Sequence, residues 1–143
     1  MPVHVKHKTS INCTLDKVYD ALTTKKGIQG WWTPDTEIKP EVGTTAIFDF
    51  GDRYHNKMEI IDLQPAQKVV WKCMQGNSEW VGTTITFDLE EQINQTVLRF
   101  GHNNWNKATD FFATCNFQWA RCLTSLKTYC ETGTGNPFTP NNL

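Results

Sequence analysis

From about Val42 to His102 the sequence alternates with a period of two, and from about Lys107 to Glu131 the period changes to three and four. That change of period constrains the fold more than any other feature. Alternation sends successive side chains to opposite faces of a strand, whereas spacing of three and four gathers them on one stripe of a helix. In the first segment one parity holds Ala46, Phe48 and Phe50, then Met58 and Ile60, then Val69, Trp71 and Cys73. It continues with Ile85, Phe87 and Leu89, and ends with Leu98, Phe100 and His102. The joints carry turn residues at Gly51-Asp52, Gln64-Pro65, Gly76-Asn77 and Gln92 to Asn94. Five strands with short joints predict an antiparallel meander. In the second segment Phe112, Cys115, Asn116, Trp119, Cys122, Leu123, Leu126 and Cys130 form one stripe of a long helix. Lys107, Asp110, Thr114, Arg121, Ser125 and Thr128 read as its opposite, solvated face, and Gly133 as its stop.

Upstream, Val3 to Lys8 alternate and predict a further strand. A short helix is expected over about Thr14 to Thr24, capped by Thr14, with Leu15, Val18, Tyr19 and Leu22 at helical spacing. Gly27 and Gly30 read as breaks, and a second short helix closes on Trp31-Trp32-Thr33-Pro34-Asp35. The prolines at 2, 34, 40, 65, 137 and 140 all fall between periodic segments, where no ladder or helix loses a donor. The expected fold is therefore α+β. A six-stranded antiparallel sheet, curved by strand twist, wraps on a long C-terminal helix, with two short helices after strand 1. With 143 residues a single domain is expected, spanning 1–133, followed by a polar C-terminal tail, 134–143. A curled sheet closed by one helix encloses a space, and function turns on whether that space is filled.

Composition excludes several classes of function. Fourteen basic and fifteen acidic residues give a net charge of −1, with no basic run to follow phosphates, so no nucleic-acid partner is expected. Apolar runs are only a few residues long, so no membrane span is expected. The five cysteines, Cys13, Cys73, Cys115, Cys122 and Cys130, are odd in number and without CxxC spacing. A disulfide framework or zinc ribbon does not fit them. With no signal-peptide core at the start, a reducing cytoplasmic location is expected. His4 and His7 fall on opposite strand faces, and no HxH or HxxxH occurs, so no metal is expected. There is no GxSxG elbow and no phosphate loop, and Asp49, Glu59, Asp88 and Glu90 read as outward. Neither a catalytic set nor a cofactor is indicated.

Several short stretches, taken in order, resemble a known family. They are Val18 to Thr23, Trp31-Trp32-Thr33-Pro34-Asp35, Gly82 to Phe87, Thr96 to His102, and Trp119 with Leu123 and Ser125 to Gly133. Together they are similar to the bacterial homologues of the activator of heat-shock chaperone ATPase, within the SRPBCC or START-like superfamily. The resemblance covers roughly residues 8 to 133. It implies the helix-grip fold, an apolar cavity between sheet and helix, and binding of a small hydrophobic molecule, lipid-like or polyketide-like. It also implies two alternatives: a chaperone-associated interaction module, or a cyclase- or hydrolase-type enzyme using the same cavity.

The candidate ligand-binding residues are Trp32, Phe48, Phe50, Met58, Trp71, Phe87, Phe100, His102, Phe112, Asn116 and Trp119. The apolar members line a pocket or fill a solid core, and both readings stand at this level. Asn116, read as buried between Phe112 and Trp119, and His102, on the inward parity, are the polar groups expected to orient a ligand. His102 is also the one candidate general base, with Tyr54 a possible helper. Trp31-Trp32 reads as a lid or, more simply, as a plug with one ring inside. Arg53-Tyr54-His55 reads most simply as a solvated hairpin tip, the alternative being a polar rim for a charged head group.

Overall fold

The computed structural model describes residues 1–139. Strand β1 (Val3–Ile11) leads into helices α1 (Leu15–Thr23) and α2 (Lys25–Trp31). The meander follows as β2 (Asp35–Glu37), β3 (Thr45–Phe50), β4 (Tyr54–Gln64), β5 (Lys68–Gln75), β6 (Thr84–Gln92) and β7 (Gln95–Trp105), and the long helix α3 (Asp110–Thr132) closes the order. All strands are antiparallel in one sheet, ordered β1-β7-β6-β5-β4-β3-β2. The sheet has seven strands where six were expected. The extra one, β2, is three residues long and pairs Asp35 to Glu37 with Asp49 to Ile47 at the sheet edge. It is too short to show alternation.

The inward parity is the one the alternation predicts. Phe48, Met58, Ile60, Val69, Trp71, Ile85, Phe87 and Leu98 are all at most 1% exposed. Burying each such side chain contributes roughly 1.5–3 kcal/mol, so the sheet face and the α3 stripe (Cys115, Trp119, Leu123, Leu126) hold each other in place. The β4–β5 ladder shifts register at Lys57/Met58 and Ile60/Asp62, irregularities of the kind that increase local twist.

The helices are delimited by named groups. Thr14 Oγ1 accepts from Lys17 N. Thr24 ends α1 and starts α2, its hydroxyl donating to Asp20 O and accepting from Gly27 N. Thr109 Oγ1 accepts from Phe112 N at the start of α3. Gly133 ends α3 at φ 88, a left-handed conformation that glycine adopts without a Cβ penalty.

Gly27 and Gly30 do not break the helix; both lie inside α2. They are there because neighbours come too close for a side chain. A Cβ on Gly27 would sit 2.6 Å from Ala21 Cα, and one on Gly30 would sit 2.1 Å from the Tyr129 ring. The segment expected to be a tail also turns back on the domain. Asn136 N donates to Ser125 Oγ, and Phe138 N donates to Trp32 O. Residues 140–143 of that segment, with Pro140, lie outside the described residues. Ser125, read as solvated, is buried because it also donates to Trp31 O. No helix of the described residues is long and apolar enough to cross a membrane.

Candidate functional site

The space between sheet and α3 is filled in its depth and open at one end. Trp31 and Trp32 are both buried, not one in and one half-out. Helix α2 ends at Trp31, so Trp32 leaves the helical path as its cap and turns inward beside its neighbour. The two rings stack at 5.6 Å, and Trp32 stacks on Trp71 at 5.9 Å. Trp32 further meets Phe48 at 4.7 Å and Trp119 at 5.3 Å, and Trp119 meets Phe100 at 4.5 Å. Phe87 closes on Trp71 and Phe100. Phe48, Met58, Trp71, Phe87 and Phe100 are thus core rather than pocket wall.

An open groove of about 270 Å³ remains at the end of the sheet nearest the β3–β4 hairpin. Of the expected residues, Trp32, Phe50 and Trp119 line it. Phe112 does not; it packs edge-on against Trp105 at 5.2 Å. Asn116 does not line it either, and it is exposed rather than buried. It sits on the flank of α3 that faces β1, where its carbonyl meets His7 Nε2 at 3.3 Å.

His102 is buried and fully used. The indole N–H of Trp119 donates to Nδ1 at 3.0 Å. Because an indole can only donate, Nδ1 carries the lone pair and the proton is on Nε2. Nε2 lies 2.8 Å from Thr83 Oγ1, whose own hydroxyl donates to Trp80 O. Nε2–H therefore donates to Thr83. Burial pushes the imidazole down to about 3, so it is neutral at physiological pH. His102 does not line the groove. Its bonds fix Trp119 and the Trp80 loop, which are two groove walls.

Most of the remaining walls were not expected. Trp80 comes from the β5–β6 loop and stacks on Trp119 at 6.2 Å. Thr114 and Arg121, read as solvated, come from α3 together with Phe111 and Gln118, which the sequence left unassigned. Phe138 comes from the returning tail and meets Phe50 at 5.5 Å. Arg53 and Tyr54 form the rim, as the polar-rim reading has it, although Tyr54 begins β4 rather than lying in the turn. Asn56 supplies a buried polar group. Its signal was present in the alternation, since 56 shares the parity of Met58 and Ile60.

The groove's two thiols are not nucleophiles. Burial pushes Cys115 up to about 11 and Cys122 up to about 12, so both stay protonated near neutrality. All five cysteines are free. Among the described residues no three His, Cys, Asp or Glu side chains come together as metal ligands.

A curved antiparallel sheet gripping a long C-terminal helix, with a groove at one end, defines the SRPBCC class of helix-grip domains. Within it, residues 12–131 match the family described as Activator of Hsp90 ATPase homolog 1-like protein, and the chain belongs to that family. It is 41% identical to the protein in the solution structure of the Aha1 dimer from Colwellia psychrerythraea, with 93% of this chain and 99% of that one covered and a TM-score of 0.85. SSP2350 from Staphylococcus saprophyticus shares the fold at 18% identity, covering 96% and 98%, with a TM-score of 0.80. DynU16, from the dynemicin biosynthetic locus, shares it at 20% identity, covering 92% of this chain and 48% of that one, with a TM-score of 0.77. No curated protein matches the chain.

Proposed function

We propose that the chain binds a small hydrophobic molecule in the groove between the β3–β4 hairpin, the β5–β6 loop and α3. The observation that carries this reading is an open, mainly apolar cavity beside an interior otherwise filled by its own rings. At about 270 Å³ it lies near the lower end of ligand-pocket sizes. A lipid-like or polyketide-like body would gain by leaving water, at roughly 0.8 kcal/mol per buried methylene. The reading is of binding without catalysis. A cyclase or hydrolase would need a proton-transfer group on the groove, and His102 is turned away and holds its neighbours. Five free thiols suit a reducing compartment, the cytoplasm.

Native mass spectrometry of the protein taken straight from cells tests the reading. An added mass that is lost on denaturation is the expected result. A bare mass, together with no quenching of tryptophan fluorescence by 2-naphthalenemethanol, rejects ligand binding.

A second reading is supported by the family's name and by Phe117, which is 66% exposed on α3 beside Thr114 and Gln118 of the groove. Here α3 docks on a chaperone of the Hsp90 type. Capture of that purified chaperone by the wild type but not by Phe117→Ser is expected. Equal capture by both proteins places any contact elsewhere.

A further inference from the structure

We propose that the groove selects an anionic amphiphile, a flat apolar body bearing a carboxylate or similar anionic group. The inference rests on the ligand-binding reading above and adds the charge and polar contact of the ligand.

The first observation is Asn56. It is 3% exposed, lies on the inward face of β4 and lines the groove. Its backbone pairs with Phe48 of β3, but its carboxamide bonds no described residue. The other buried threonine, serine and histidine side chains all have partners. The five buried threonines bond backbone carbonyls, Ser125 bonds Trp31 O, and His102 bonds Thr83 and Trp119. The sealed polar atoms without a partner are the indole nitrogens of Trp71, Trp80 and Trp105, whereas the Asn56 amide opens onto the groove, where solvent or a ligand can satisfy it. A purely apolar occupant would leave it unsatisfied. A ligand oxygen at the groove floor would satisfy it.

The second observation is charge. Two arginines line the groove from facing walls, Arg53 at the β3–β4 hairpin and Arg121 on α3, and no aspartate or glutamate lines it. Lys25, Lys68, Arg99 and Lys127 each pair with a carboxylate. Among the described residues neither Arg53 nor Arg121 does, nor do the other lysines, so what sets the two arginines apart is their place on the groove. The chain as a whole carries −1, so this local excess of positive charge is a property of the groove. Guanidinium forks match carboxylate oxygens bidentately. The walls between are flat: Trp80 and Trp119 lie within 15° of parallel. They suit a planar ring system.

The test compares two probes with the same ring system, 2-naphthoate and neutral 2-naphthalenemethanol, by tryptophan quenching and calorimetry at low salt and pH 7.5. The expected result is naphthoate binding at least tenfold tighter. In the Arg53→Gln/Arg121→Gln double variant the ratio of naphthoate to alcohol affinity falls to about one. Both arginines are exposed, so the variant should keep the wild-type circular dichroism. Equal affinity for the two probes overturns the anion selection and leaves the groove as an apolar site. A preference for naphthoate that survives in the double variant also overturns it. Binding of neither probe overturns both the inference and the reading beneath it.

Discussion

Residue type singled out His102 as a ligand-orienting group and passed over Asn56, and the structure places them the other way round. A histidine on an inward parity invites a catalytic reading, yet its two nitrogens are used to hold Trp119 and Thr83. Its lowered pKa has a consequence for stability. Above pH 6.5 the imidazole is neutral in both folded and unfolded chains, and its contribution is complete. As pH falls from 6.5 toward about 3 the unfolded chain takes up a proton that the folded one refuses. Stability then drops by up to roughly 1.4 kcal/mol per pH unit. Urea unfolding at pH 7.5 and 5.5 should show a loss of about 1 kcal/mol from this group, and His102→Gln should flatten it. Asn56 makes the opposite case. Asn56→Leu replaces a groove-facing amide without changing the side chain's size much. It should leave the stability of the empty protein within about 1 kcal/mol of the wild type and weaken naphthoate binding. Thermal melts and titrations read the two effects separately.

At the scale of elements, α3 has two working faces rather than one. The stripe of Cys115, Trp119, Leu123 and Leu126 covers the sheet as its spacing predicts. The flank with Thr114, Gln118 and Arg121 forms the groove wall, and Ser125 on the same side anchors the tail. Helical periodicity sorts apolar from polar, but it does not say whether a polar flank meets water or another segment. Asn116 failed for the related reason that a position at the edge of a stripe is buried only if a neighbour covers it. Helix α2 depends on close approach. Gly30→Ala places a Cβ inside the Tyr129 ring, so α2 and α3 must separate. A loss of about 1–3 kcal/mol in urea unfolding is expected. An unchanged midpoint would show that Tyr129 swings aside freely.

For the whole molecule, the groove is assembled from five remote stretches: the end of α2, the β3–β4 hairpin, the β5–β6 loop, α3 and the tail. Ending the chain at Gly133 removes Phe138 and the strap that bonds Trp32 O and Ser125. The truncated protein should keep its circular dichroism but bind naphthoate more weakly, as titration would show. Unchanged affinity would mean that the tail contributes no wall. Local pattern was enough to determine the antiparallel meander, its inward parity, the long helix and its glycine stop, because each depends on residues adjacent in the chain. It also placed Trp32, Phe50 and Trp119 among the site candidates. Only the tertiary structure decided that most of the inward aromatics fill the interior, and that Asn56, Trp80, Arg121 and Phe138 meet around what is left. Alternation reports which way a side chain points, and the space remaining in front of it depends on segments far away in sequence.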